Sequence, residues 1–103
     1  SVIHADITPG YGADDLRNAL KSYYKDQPFV HIASGEYVPC TRDVMATNHC
    51  KIGVYEDRLP NKVLIVSAID NLTKGSSGQA LQNMNLMFGF EETTGLKLKG
   101  SAF

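Results

Sequence analysis

The sequence predicts an α+β domain whose sheet is mixed or mostly antiparallel and carries two helices. Two stretches repeat apolar residues at helical spacing, and four others alternate or run apolar as strands do, in the order β-α-β-β-β-α. The chain has 103 residues, which is enough for one hydrophobic core and too few for two domains of ordinary size. We therefore expect residues 1–103 to form a single domain.

The first strand and the first helix lie on either side of a turn cluster at residues 8–12. Residues 2–7 alternate apolar and polar side chains, the pattern of a half-buried strand. Because the strand starts at the second residue, we expect the chain to be a portion of a longer protein. The helix is predicted to end near Lys25. Its apolar positions are Leu16, Ala19, Leu20, Tyr23 and Tyr24.

Three further strands are predicted at residues 29–32, 45–55 and 63–69. Pro60 and Asn61 are suited to the central positions of a β-turn, so the last two strands should form a hairpin. The final strand is apolar on both faces, as in a central strand covered on both sides. We leave open that a partner chain supplies one of the two covering layers.

The last helix is predicted to begin near Ser76 or Ser77 and to end at Gly89. Residues 75–90 contain no charged side chain and four amides. Neutral amides indicate burial, because an amide can be hydrogen-bonded in place whereas a charge costs more to desolvate. Two interpretations stay open: a core helix with paired amides, or a helix that faces a ligand or a subunit. The expected apolar stripe is Ala80, Leu81, Met84, Met87 and Phe88.

Composition argues against several functions. The net charge of −1 disfavours nucleic acid and anionic membranes as partners, and no apolar run approaches the roughly 20 residues of a bilayer span.

His49 and Cys50 are adjacent and point to opposite faces of a strand, so we expect no metal site. We expect no catalytic residue, since Cys50 shares an apolar face and no histidine has a suitably spaced partner. The two cysteines favour a reducing compartment.

Residues 70–85, Asp-Asn-Leu-Thr-Lys-Gly-Ser-Ser-Gly-Gln-Ala-Leu-Gln-Asn-Met-Asn, resemble the C-terminal signature of the N-acetyl-γ-glutamyl-phosphate reductases. The similarity continues through residues 86–96 and reaches back to 47–50 and 28–30. Most of the chain, from about Ser1 to Leu96, corresponds to the last third of the sequences of that family.

The resemblance implies a portion of a two-domain, NADP-dependent enzyme of arginine biosynthesis that belongs with the semialdehyde dehydrogenases. In that family a cysteine thiolate attacks the acyl phosphate, phosphate leaves, and hydride then reduces the resulting thioester to the semialdehyde. The family places that cysteine, its histidine and the dinucleotide-binding domain ahead of this segment. We therefore expect this chain alone to be inactive.

The resemblance also implies cofactor contacts from Asn71, Gly75 and Gln79, with the Asn71 amide directed at the nicotinamide carboxamide. The helix at residues 75–90 would then pack across the interdomain cleft. A homo-oligomer is expected, with a small acyl phosphate as the substrate of the complete enzyme.

Three alternatives remain: a non-catalytic dimerisation module, a related semialdehyde dehydrogenase, and a lysine-pathway homologue acting on a carrier-linked acyl phosphate. The run from Asn83 to Met87 favours the arginine-type enzyme. The compartments left open are the bacterial cytoplasm, the plastid and the mitochondrion.

Overall fold

The computed structural model describes residues 1–99, which form a four-stranded sheet with two α-helices. The predicted α+β class and the order β-α-β-β-β-α are confirmed. A short 3-10 turn at Thr41–Asp43 and a π-helical turn at Thr73–Ser77 complete the fold. The regular elements are β1 Val2–Asp6, α1 Ala13–Tyr23, β2 Val30–Ile32, β3 Cys50–Glu56, β4 Lys62–Ile69 and α2 Gly78–Met87.

The sheet is mixed, with the strand order β1-β4-β3-β2. Strand β4 lies between β1 and β3 and pairs antiparallel with both, whereas β2 pairs parallel with β3. The predicted hairpin joins β3 to β4, with Glu56 opposite Val63 and with Asn61 in a left-handed conformation at φ 59°. Asparagine tolerates this conformation better than most residues. Because β4 lies between β1 and β3, the prediction that the last strand is central in the sheet is confirmed.

Helix α1 covers one face of the sheet. Ala13, Val54 and Val63 are buried there. Helix α1 is anchored at its first turn, where the Glu56 carboxylate accepts a hydrogen bond from the Ala13 N–H at 2.8 Å. Arg17 donates to the Val54 carbonyl, which covers the edge of β3 beyond the end of β2. Partly buried side chains that pack against this core are Ala5, Ile7, Leu16, Leu20 and Ile65.

The opposite face is covered only in part, by the loop at residues 37–43. Tyr55 donates its hydroxyl proton to the Tyr37 carbonyl, and the Lys51 ammonium lies 4.5 Å from the centre of the Tyr37 ring. Tyr37 in turn donates to Asp43 at 2.6 Å, and this hydrogen bond to a carboxylate raises the pKa of Tyr37 to about 12. Over β1 and β4 this face stays open, and Val2 is 64% exposed.

The largest difference between a predicted boundary and the structure is at the start of β3. The strand expected from residue 45 begins only at Cys50, because Ala46 adopts a left-handed φ of 60° and Thr47 donates back to the Val44 carbonyl, which makes a turn. The predicted start of α2 is confirmed, because Ser77 is its N-cap residue and Gly78 its first helical residue, although the Ser77 hydroxyl donates to the Leu72 carbonyl instead of making a capping bond. Gly89 follows the helix with φ 74°, as predicted. No helix within residues 1–99 has both the length and the apolarity that crossing a bilayer requires.

Candidate functional site

The loop between β4 and α2 is organised by one carboxylate. Asp70 Oδ1 accepts hydrogen bonds from the backbone N–H groups of Leu72 at 2.7 Å and Thr73 at 3.1 Å. Asp70 Oδ2 accepts a third from Ala46, 24 positions earlier in the chain, at 2.7 Å. These donors lower the pKa of Asp70, the Ala46 N–H most of all, because they stabilise the charged form. Asp70 thus ties the loop to the turn that precedes β3.

The Asp70 bonds predict how stability depends on pH. A carboxyl whose folded-state pKa is depressed stabilises the fold above its unfolded pKa, near 4, and this contribution disappears as the pH falls through the folded value. Asp70→Asn keeps one acceptor oxygen and places an amide nitrogen against an N–H donor. We expect a lower melting temperature for the variant at pH 7 and a difference from the unmodified chain that shrinks below about pH 4. Melting curves of both proteins from pH 2.5 to 8 test this, and a pH-independent difference would contradict it.

Asn71 is exposed and lies at the mouth of a cleft. Within residues 1–99 no hydrogen bond joins its side chain to its own loop, where Asp70 and Ser77 supply the side-chain bonds. The cleft has a volume of about 440 Å³ and runs between the end of β4 and the loop that contains Pro39 and Thr41. The amide group of Asn71 is therefore free to meet a ligand.

The structure brings two of the three residues predicted to bind the cofactor together. A Cβ built on Gly75 would lie 3.5 Å from Asn71 Oδ1, and the Gly75 N–H donates to the Asp70 carbonyl at 3.0 Å. Gln79 lies in the first turn of α2, half-buried, and its Nε2 donates to Asn83 Oδ1 at 2.9 Å. Asn71 and Gly75 therefore share one loop, whereas the Gln79 amide is directed along the helix.

Buried amides fix α2 to the rest of the domain. Gln82 Oε1 accepts from Asn48 Nδ2 at 3.0 Å and from the Lys74 ammonium at 2.6 Å, while Gln82 Nε2 donates to Glu92 at 2.6 Å. Asn85 Nδ2 donates to the backbone carbonyls of Glu92 and Thr94. We call Asn48, Gln82 and Asn85 the amide cluster. Of the four amides in residues 75–90, Gln82 and Asn85 are buried and paired as one interpretation expected, whereas Gln79 is half-buried and Asn83 is exposed.

The amide cluster sets the orientation of the helix. The expected apolar stripe faces outward: Met84 is 41%, Phe88 69% and Met87 79% exposed. Ala80 is exposed too, and only Leu81 is half-buried. The amides find fixed partners on the inner side of the helix, so its apolar side is left mostly exposed. We call Met84, Met87 and Phe88 the apolar face of α2.

A sequence profile described as the dimerisation domain of semialdehyde dehydrogenases matches residues 1–71 of the chain. The chain belongs to this family. The match covers all four strands and α1, and it ends within the loop that Asp70 organises. The predicted resemblance to the semialdehyde dehydrogenases is therefore confirmed.

Several relatives of this dimerisation domain carry one enzyme name. The chain is 47% identical over 93% of its length to the probable chloroplastic N-acetyl-gamma-glutamyl-phosphate reductase of Arabidopsis thaliana, of which it covers 24%. It is 48% identical over 94% to the protein of the same name from Oryza sativa subsp. japonica, of which it covers 23%. An N-acetyl-gamma-glutamyl-phosphate reductase from Staphylococcus saprophyticus is 47% identical over 93% of the chain, which covers 28% of it. The chain spans about a quarter of the length of these relatives.

The side chains that could carry chemistry in this dimerisation domain are dispersed. Cys40 is exposed, and the half-buried Cys50 lies with its Sγ 3.5 Å from Ser67 Oγ. Residues 1–99 hold no group of three or more metal-ligating side chains. Sequence reasoning missed the contact between His31 and His49, whose ring nitrogens lie 2.8 Å apart. It also missed the hydrogen bond that the Lys74 ammonium donates to Gln82 Oε1. Both contacts depend on how distant segments pack.

Proposed function

We propose that the chain is the C-terminal substrate and dimerisation portion of an NADP-dependent N-acetyl-γ-glutamyl-phosphate reductase of arginine biosynthesis. The observation that carries this proposal is identity of 47% over 93% of the chain to relatives with that name. The identity extends beyond the dimerisation profile into the loop and α2. The shared name favours the arginine-type enzyme over a lysine-pathway homologue or another semialdehyde dehydrogenase.

The loop at residues 70–77 supports a nicotinamide cofactor, for which the resemblance implies NADP. The cofactor would supply the hydride in the complete enzyme. Asn71 would hold the nicotinamide carboxamide, because its own amide is exposed, is not bonded to its loop and is carried by a backbone that Asp70 fixes. Gly75 would permit close approach, and Gln79 would contribute from the first turn of α2.

The apolar face of α2 supports a second domain in the complete protein. An apolar stripe that is 41–79% exposed is costly in water, and the amide cluster prevents the helix from turning this stripe inward. We infer that the stripe packs against the dinucleotide-binding domain. Residues 1–103 would then be one α+β domain of a larger two-domain reductase.

The open face of the sheet supports self-association. Val2 is exposed and the Leu64 and Val66 side chains are half-buried on the side opposite α1. We expect the chain to sediment as a dimer or larger species at high micromolar concentration, because apolar side chains leave water at a shared face. Val66→Lys should shift it to a monomer, whereas Ala19→Lys on the exposed side of α1 should not. A strict monomer before substitution would count against this face.

The isolated chain should neither reduce acyl phosphates nor oxidise the semialdehyde with NADP and phosphate. The nucleophile, base and dinucleotide motif of the family are all missing from its sequence. Cys50 is the one residue that could rescue activity. A phosphate-dependent absorbance assay at 340 nm tests this expectation, and turnover that vanished in Cys50→Ser would show that this thiol acts as a nucleophile.

A second candidate is a non-catalytic dimerisation module. It is favoured by the profile description and by the dispersed chemistry within residues 1–99. Intact-mass measurement of the protein in its native source separates the two functions. A species of about 35 to 40 kDa, the size of two ordinary domains, supports the reductase. A mature product of 11.3 kDa supports the module.

The compartment is proposed from the relatives. Two plant relatives are named as chloroplastic and others are bacterial proteins. We propose that the complete enzyme works in the cytoplasm of a bacterium, or in the plastid or mitochondrion of a eukaryote.

A further inference from the structure

Two histidines from different segments meet at the edge of the sheet. His31 lies in the middle of β2, and His49 immediately precedes β3. The parallel pairing of these strands, with Val30 opposite Cys50, brings the two rings together. Nε2 of His31 and Nδ1 of His49 are 2.8 Å apart, and the ring centres are separated by 4.6 Å.

The contact brings together two nitrogen atoms of the kind that bind metal ions. In a hydrogen bond between neutral imidazoles, one nitrogen carries the proton and the other presents its lone pair along the same line. A metal ion bonded to both nitrogens at about 2.0–2.1 Å, with an N–metal–N angle of about 90–110°, holds them roughly 2.9–3.4 Å apart. Compared with the hydrogen bond, the nitrogens separate by a few tenths of an ångström, and both rings turn so that their lone pairs converge on the ion. We propose that His31 and His49 form a two-imidazole binding site for a divalent transition-metal ion such as Ni²⁺ or Zn²⁺.

The protonation state of His49 suits this role. Burial lowers the pKa of His49, and the neighbouring His31 and Lys74 lower it further, so its ring is neutral at pH 7. A neutral imidazole is the form that binds metal. The ring is also held in place by Phe29, whose centre lies 5.7 Å away.

Charges around the pair limit the affinity. The Lys74 ammonium repels a cation, although it donates a hydrogen bond to Gln82, which also contacts the Glu92 carboxylate. Lys51 is the register partner of His31, and its ammonium lies 3.9 Å from Asp43. These two cations act against binding, and the two carboxylates offset them in part.

The site leaves coordination positions for water. No third metal ligand joins the pair within the part of the chain that the structure describes. Two imidazoles alone give an exchangeable site. The expectation of no metal site rested on the opposite directions of His49 and Cys50 and left out His31, 18 positions before His49.

Calorimetric titration of the 103-residue chain with NiCl₂ and, separately, ZnCl₂ at pH 7.5 tests the site. We expect one ion per chain, at least tenfold weaker binding in both His31→Gln and His49→Gln, and unchanged binding in His4→Gln. Lowering the pH to 5.5 should weaken binding at least tenfold, because protons compete for the same nitrogens.

Folding of each variant is checked by circular dichroism, and His31 is exposed, so its substitution should leave the fold intact. The proposal is overturned if the chain binds neither ion. It is overturned equally if the affinity is the same in all three histidine variants, or if binding is lost on alkylating Cys40 and Cys50 while both paired histidines remain.

Discussion

Replacing Gly78 by alanine is expected to destabilise the chain by about 1–3 kcal/mol or more. A Cβ at this position would lie 2.6 Å from the carbonyl oxygen and 2.8 Å from the carbonyl carbon of Thr73, and it would also crowd the fully buried Asn48 side chain. The backbone of the preceding turn would have to move to admit it. Such a shift would strain the amide cluster, because Lys74 and Asn48 both bond to Gln82.

Gly75→Ala in the same segment is the matched control. A Cβ there would meet its nearest atom, in the Ile69 side chain, at 3.4 Å, which is ordinary contact. We expect a change within about 0.5 kcal/mol for this variant. Urea unfolding of both variants measures the difference. Alanine has the higher helix propensity, so a large loss at the first position of α2 isolates the clash. Equal effects at the two glycines would show that the turn is free to move.

In the complete enzyme, Asn71→Ala is expected to raise the KM for NADPH and lower kcat/KM with little change in melting temperature. The proposed contact with the nicotinamide carboxamide is one neutral hydrogen bond, of about 0.5–1.5 kcal/mol, which corresponds to about a 2- to 10-fold effect. The effect is larger if the partner group is left unpaired. Stability should hold because the side chain is exposed and forms no hydrogen bond with its loop.

Asp70→Asn is the counterpart in the neighbouring position. Its three backbone hydrogen bonds make Asp70 the support of the loop, so this variant should lose melting temperature first and cofactor kinetics only secondarily. The competing hypothesis for Asn71 is that it caps its own loop. A lower melting temperature of Asn71→Ala with an unchanged KM for NADPH would establish that hypothesis instead.

Much of the fold could be predicted because it is encoded locally. The period-two pattern of β1, the turn at Pro60 and Asn61, and Gly89 at the end of α2 all act within a few residues. The start of β3 could not be predicted in this way. The turn before it depends on Asp70, which accepts the Ala46 N–H from a position 24 residues later.

The candidate site, like the fold, could be predicted only where neighbouring residues determine it. The lack of charge in residues 75–90 predicted buried amides, and two of the four are buried: Gln82 and Asn85 are 8% and 1% exposed, whereas Gln79 is half-buried and Asn83 is exposed. Helical spacing alone could not show which side of α2 faces the domain, because that side depends on the partners of the buried amides at Asn48 and Glu92. The pairing of His31 with His49 was hidden for a similar reason: it arises from the parallel register of β2 and β3.

The most direct test of the account is an assay of the complete protein that contains these 103 residues. The purified protein is mixed with N-acetylglutamate semialdehyde, NADP and phosphate, and absorbance is followed at 340 nm with controls that lack the semialdehyde or the phosphate. The account predicts reduction of NADP that requires both the semialdehyde and phosphate. Absence of turnover in a folded protein that binds NADPH, or equal turnover without phosphate, would contradict the assignment as an acyl-phosphate reductase.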